Sequence, residues 1–298
     1  MKFNKILAVD NLGLIPKAYE ELKNYAEEII YYSAHIKEDK KLIEIINDAQ
    51  CLLVSWDTVI NKNVIENCKN LKYIGMCCSL FEGKSSNVDV KAAREKGIIV
   101  LGVNGYGDNV AEFAISELIR LIHGYGEKQW KKKEEELEGQ KVGVIGVGAT
   151  GVLFVNALNC FGADVYYYSR SKKDINAKYL ELDDLLKTVD IISTHLPQNT
   201  YILNKEKLDI FGNNKIIINT SIGPTYNLKD MAKWLNHDGN FLITDRVGAG
   251  NYIEELKNIK NVIYTDKVSA KTIQMDTRLS NSVLENIKVA LEEINNKL

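Results

Sequence analysis

An α/β protein of two domains, each built on a parallel sheet, is the fold class that the sequence predicts. Three observations lead there. Apolar runs with strand character alternate with amphipathic helical runs. A chain of 298 residues is long enough for about two domains. In mid-chain a glycine-rich turn, Gly146-Val147-Gly148-Ala149-Thr150-Gly151, follows an apolar strand and opens a helix.

Residues 5–9 read as the first strand. Asp10 and Asn11 break that apolar stretch at once, which argues against a signal peptide. A helix over 15–25, a strand over 28–32 and a helix over 39–46 follow. The run 51–54 is a buried strand, 63–67 a short helix, 73–76 a strand, 90–95 a helix stopped by Gly97, and 98–101 a strand. This compact open-sheet unit ends near residue 105. From Val110 to about 123 a longer helix places Ala111, Ala114, Leu118 and Leu121 on one face. Residues 131–136, three lysines and three glutamates whose charges cancel, read as a solvated helical connector. Residues 140–145 open a second α/β unit, with a helix over 152–161 and strands over 164–168, 190–194, 216–219, 241–244 and 261–264. Residues 271–298 read as one long helix.

Composition excludes several function classes. With 38 Lys+Arg against 40 Asp+Glu there is no basic excess to recruit nucleic acid or an anionic membrane. No apolar run approaches the roughly 18–20 residues that span a bilayer. Four histidines leave little room for a His-rich metal site, and no metal is expected. The five cysteines are odd in number and form no C-x-x-C pair, which points to the cytoplasm. The vicinal Cys77–Cys78 reads as two small buried thiols.

The glycine-rich turn carries the clearest chemistry. Gly146 permits the tight turn, Gly148 lets a pyrophosphate approach the backbone, and Gly151 lets the helix pack on the strand. The helix N-terminus then offers free N–H groups and a partial positive charge. At the end of the next strand an NAD site would carry a carboxylate for the ribose hydroxyls. The chain instead reads Ser169-Arg170-Ser171-Lys172-Lys173, a set of hydroxyls and cations suited to a 2′-phosphate. NADP(H) is therefore expected, with NAD(H) as the alternative.

Beyond this turn, the segments Asn87-Val88-Asp89, Asn109-Val110-Ala111-Glu112, Asp190-Ile191-Ile192-Ser193-Thr194-His195-Leu196-Pro197 and Ile218-Asn219-Thr220-Ser221-Ile222-Gly223 occur in order along the chain. With Val142 to Gly151 they resemble the D-isomer-specific 2-hydroxyacid dehydrogenases, from about Ala49 to the C-terminus. Residues 168–173 are similar to the NADP-dependent glyoxylate and hydroxypyruvate reductases of that family. The resemblance implies a Rossmann dinucleotide-binding domain, 106–272, inserted into a flavodoxin-like substrate domain formed by 1–105 and 273–298. It implies a small-molecule substrate and a homodimer. It also implies that Ala149 and Thr150 meet the pyrophosphate, that the backbone of His195, Leu196 and Pro197 and of Thr220, Ser221 and Ile222 lines the dinucleotide, and that Asp245 and Val110 lie by the nicotinamide.

The family's Arg, Glu and His are absent from the matching positions, which hold Ile222, Gly250 and Lys267. The family Arg binds the substrate carboxylate, the His exchanges a proton at the hydroxyl and the Glu holds the His in its working state. Lys267 is either a replacement acid, if burial lowers its pKa, or a solvated loop lysine. The loop after residue 76 is longer than the family's and carries Glu82 and Lys84; Cys78, Ser79 and Lys84 are expected to line a substrate pocket. Two functions remain open: an NAD(P)-dependent oxidoreductase reducing a small carbonyl, imine or 2-keto acid compound with altered chemistry, or a non-catalytic NADP(H)-binding protein.

Overall fold

The computed structural model describes residues 2–80, 85, 87–105, 107, 109–198 and 200–296. The chain divides into two compact units, Met1–Tyr106 with Thr272–Leu298, and Gly107–Lys271.

The strands of the first unit are β1 (Phe3–Val9), β2 (Ala26–Tyr32), β3 (Cys51–Val54), β4 (Tyr73–Met76) and β5 (Ile99–Leu101). They alternate with α1 (Pro16–Leu22), α2 (Asp39–Ile46), α3 (Lys62–Asn67) and α4 (Val90–Glu95). All pairings are parallel, in the order β2-β1-β3-β4-β5, the order of flavodoxin-like sheets. The central strands β3 and β4 are buried at every position, because helices cover both faces of a parallel sheet. Local chemistry starts the helices: Pro16 takes the first position of α1, and the side chains of Asn61 and Asp89 accept from Val64 N and Ala92 N at 3.1 and 3.0 Å. Asp10, buried with φ +70°, accepts from Thr58 N at 3.1 Å and from the Thr58 hydroxyl, tying the ends of β1 and β3.

The second unit contains β6 (Lys141–Ile145), β7 (Asp164–Tyr168), β8 (Lys178–Tyr179), β9 (Ile191–Thr194), β10 (Ile216–Asn219), β11 (Phe241–Thr244) and β12 (Val262–Tyr264). Its helices are α5 (Val110–Ile122), α6 (Ala149–Cys160), α7 (Leu182–Thr188), α8 (Lys205–Phe211), α9 (Leu228–Leu235), α10 (Arg246–Ala249) and α11 (Ile253–Leu256). The parallel sheet runs β12-β11-β10-β9-β6-β7-β8, a Rossmann order with the topological switch between β6 and β9. Ligands of such sheets bind beyond the carboxyl ends of the strands at that switch. The final helix, α12 (Ile273–Asn296), returns to the first unit. Met275, Leu279, Val283 and Ile287 enter its core, Ser280 Oγ accepts from Ile15 N at 2.9 Å, and Asn286 Nδ2 donates to Gly102 O at 3.1 Å.

One expected element is absent. Residues 131–136 are not helical. Trp130 is buried, its backbone N–H donates to Leu121 O at 3.2 Å, and Glu135 N donates to Ile122 O at 3.0 Å. The segment thus folds back to satisfy the carbonyls at the end of α5, and this tertiary anchoring overrides local helix propensity. Lys131 pairs with Glu135 at 2.8 Å and lies 4.1 Å from the Trp130 ring centroid. Among the described residues no helix is long and apolar enough to cross a membrane.

Candidate dinucleotide site

Strand β6 is followed by Gly146, whose φ of +91° only glycine adopts readily. A Cβ there would stand 2.4 Å from His195 O, and one on Gly151 would stand 2.1 Å from Gly146 O. These two positions hold the turn, the start of α6 and the end of β9 in backbone contact. Gly148 differs: nothing lies within 4 Å of a Cβ built on it. It is the N-cap of α6, and no side chain caps that helix. Gly148 and Ala149 are exposed and Thr150 is half-buried. Open space over uncapped helical N–H groups fits a pyrophosphate.

The loop after β7 is pinned from beneath. The Tyr167 hydroxyl accepts from Lys173 N and donates to Lys173 O, both at 2.8 Å, and Ser169 Oγ donates to Ser171 O. Lys172 Nζ lies 5.0 Å from the Tyr179 ring centroid. Arg170 is exposed and has no ion-pair partner among the described residues.

Side chains at the ends of β9 and β10 are interlocked. Leu196 N donates to Ser221 Oγ at 2.9 Å and Ile222 N donates to Leu196 O at 3.2 Å. Ser221 is buried, so it serves this linkage. Pro197 is exposed, and Thr220 is half-buried. The His195 ring lies between Ser193 Oγ, 2.9 Å from Nε2, and Thr220 Oγ1, 3.2 Å from Nδ1. Burial lowers its pKa to about 4, so the imidazole is neutral at pH 7.

Asp245 is buried at the end of β11. Its Oδ1 accepts from Gly248 N at 2.7 Å, while Oδ2 accepts from Ser269 N at 2.8 Å and Ser269 Oγ at 2.6 Å. The carboxylate caps α10 and anchors the loop after β12, a role that the sequence reading missed, although an Asp three residues before a glycine N–H is a capping signal. Asn109 Nδ2 donates to Ser269 O at 3.1 Å and so fixes the entry to α5, whose first residue, Val110, is half-buried.

The three substituted positions are arranged as follows. Ile222 is 41% exposed. Gly250 has φ +55°, and a Cβ on it would stand 2.7 Å from Pro224 Cδ. Lys267 is exposed, its N donating to Thr265 Oγ1 at 3.3 Å and its carbonyl accepting from Arg246 N at 3.2 Å. Nearby, Tyr264 OH donates to Asp266 at 2.9 Å.

In the first unit, Cys77 and Cys78 enter different cores, Cys77 with Tyr73 and Leu53 and Cys78 with Ile74 and Leu52. Burial pushes the Cys77 thiol up and the Cys78 thiol up to about 12. The Cys78 side chain, expected to line a pocket, packs in the core of this unit, and its carbonyl accepts from Val103 N at 3.0 Å. Ser79 is half-buried; Glu82 and Lys84 lie outside the described residues. Among the described residues no three His, Cys, Asp or Glu side chains gather to hold a metal.

Relatives share this architecture. The hydroxypyruvate reductase of Thermotoga maritima is 28% identical, covering 92% of this chain and 94% of its own. That of Blautia hydrogenotrophica is 27% identical over 97% of each chain. Among solved structures, D-lactate dehydrogenase from Escherichia coli superposes with a TM-score of 0.75 at 22% identity, and D-2-hydroxyisocaproate dehydrogenase with 0.76 at 20% identity, each covering 97% of both chains. The family model of the D-isomer specific 2-hydroxyacid dehydrogenase NAD binding domain matches residues 113–266, more than half of the chain. With the Rossmann unit and its glycine turn in place, the match shows that this chain belongs to the D-isomer specific 2-hydroxyacid dehydrogenase family.

Proposed function

We propose that the chain is an NADP(H)-dependent oxidoreductase that reduces a small carbonyl compound, such as a 2-keto acid, by chemistry altered from the Arg, Glu and His pattern. The observation that carries this reading is the open, uncapped turn at Gly148 together with the exposed cationic loop 169–173 at the end of the neighbouring strand. The names of the full-length relatives, hydroxypyruvate and glyoxylate reductase, support the substrate class.

Gly146, Gly148, Ala149, Thr150 and Gly151 hold the pyrophosphate, and Ser169, Arg170, Ser171 and Lys172 hold the 2′-phosphate. A nicotinamide held there would supply the hydride for the substrate carbon. Lys267 delivers the proton to the carbonyl oxygen, yielding the alcohol. Ile222 presents an apolar surface. The protein works as a homodimer in the cytoplasm, a compartment in keeping with five free cysteines.

The direct test follows NADPH absorbance with a panel of keto acids, aldehydes and imines. Turnover is expected with at least one of them; binding of NADPH without any turnover overturns the enzyme reading for that panel. Where turnover is seen, Lys267→Ala lowers kcat about 10²-fold, the size of a lost general acid, and an unchanged rate removes Lys267 from the reaction. For the cofactor, Arg170→Ala weakens NADPH binding about tenfold and leaves NADH binding nearly unchanged, as read by fluorescence titration. Equal losses contradict the 2′-phosphate assignment.

A second reading, a non-catalytic NADP(H)-binding protein, is favoured by one observation. Pro224 fills the space beside Gly250, so the missing carboxylate is excluded by packing.

A further inference from the structure

His195 contributes only its backbone to the proposed reaction, yet its ring occupies a specific place. Ring atom Cδ2 would stand 3.7 Å from a Cβ on Gly151, in the first turn of α6, and the ring centroid lies 5.4 Å from that of Phe154, one turn further along the helix. Its nitrogens meet the hydroxyls of Ser193 and Thr220, on the ends of β9 and β10. No charged or titratable side chain faces the ring from α6, from β10 or from the turn after β6 among the described residues; desolvation alone perturbs it. The imidazole is therefore held neutral against the positive end of a helix that is open to an anion.

We propose that His195 couples dinucleotide binding to the uptake of a proton: a pyrophosphate seated on the α6 N-terminus draws a proton from solvent onto the imidazole. Both partners permit the change. A hydroxyl oxygen accepts as readily as it donates, so Ser193 Oγ and Thr220 Oγ1 each accept from the imidazolium after their hydrogens rotate away. His195 is thus a positioning residue that strengthens the hold on the phosphates where it is charged. The sign follows by linkage. The free protein holds the ring neutral down to about pH 4, whereas the complex protonates it at a higher pH. Affinity due to His195 rises as pH falls through the interval between those two values, and it is flat above it.

The inference rests on the dinucleotide-binding reading, and the test separates the two. Isothermal titration of the full chain with NADP+ at pH 7 establishes binding; no binding there overturns the parent reading. At pH 5, titrations in two buffers of different ionisation enthalpy count the protons taken up per NADP+. Wild type is expected to take up roughly half a proton more than His195→Gln, the 2′-phosphate titration cancelling in the difference. Equal uptake with equal pH profiles of affinity overturns the coupling while leaving NADP+ binding intact. If His195→Gln does not fold, NMR titration of the wild-type histidine ring signals decides: with NADP+ one histidine titrates at a higher pH than without it, and an unmoved titration overturns the proposal.

Discussion

Gly148→Glu strongly weakens dinucleotide binding and leaves the chain folded. A side chain at this position meets nothing within 4 Å, and the backbone, at φ −77° and ψ −163°, is extended and open to any residue. Stability should therefore change by less than about 0.5 kcal/mol. The carboxylate would stand in the space over the α6 N-terminus and oppose the pyrophosphate with like charge. Such a juxtaposition costs several kcal/mol, so NADPH affinity should fall on the order of 10³-fold. Fluorescence titration reads the affinity, and a urea melt reads the fold. Unchanged affinity would mean that phosphates do not sit on this turn. The comparison with Gly151→Val is instructive, because a Cβ there would stand 2.1 Å from Gly146 O and both fold and binding should suffer.

Gly250→Glu, which restores the family carboxylate in sequence, is expected to destabilise the protein by about 2–4 kcal/mol and to add no activity. Two costs combine. The position has φ +55°, a conformation that residues with a Cβ rarely adopt, and the new Cβ would press on Pro224 Cδ at 2.7 Å. Pro224→Ala in the same chain removes the second cost only, so the double variant should recover part of the loss. Equal stability of Gly250→Glu and wild type in urea would contradict the steric account. Pro224 and Gly250 therefore work as a matched pair.

Strands that are buried on both faces were legible in the sequence. The bounds read for 51–54, 73–76, 216–219 and 241–244 coincide with β3, β4, β10 and β11, because runs of mostly apolar residues end where turn residues begin. The glycine turn was legible for the same local reason. Features that depend on contacts distant in sequence were not. Residues 131–136 carry helical composition but run non-helical along the surface between the buried Trp130 and Leu137. Gly250 reads as a lost glutamate until Pro224, 26 residues earlier, is seen against it. The contacts of Asp245 with Ser269, 24 residues later, are of the same distant kind. The two-residue β8 carries too little pattern to be read at all.

The distribution of the five thiols has a practical consequence. Cys51, Cys68, Cys77 and Cys78 are buried, and Cys160 alone is exposed. A maleimide fluorophore applied to the native protein should therefore label one site, without any cysteine being removed. That site is the last residue of α6, the helix whose other end faces the phosphate turn. The same reagent, applied along a denaturant series, turns the four interior sulfurs into a clock for the opening of the first unit.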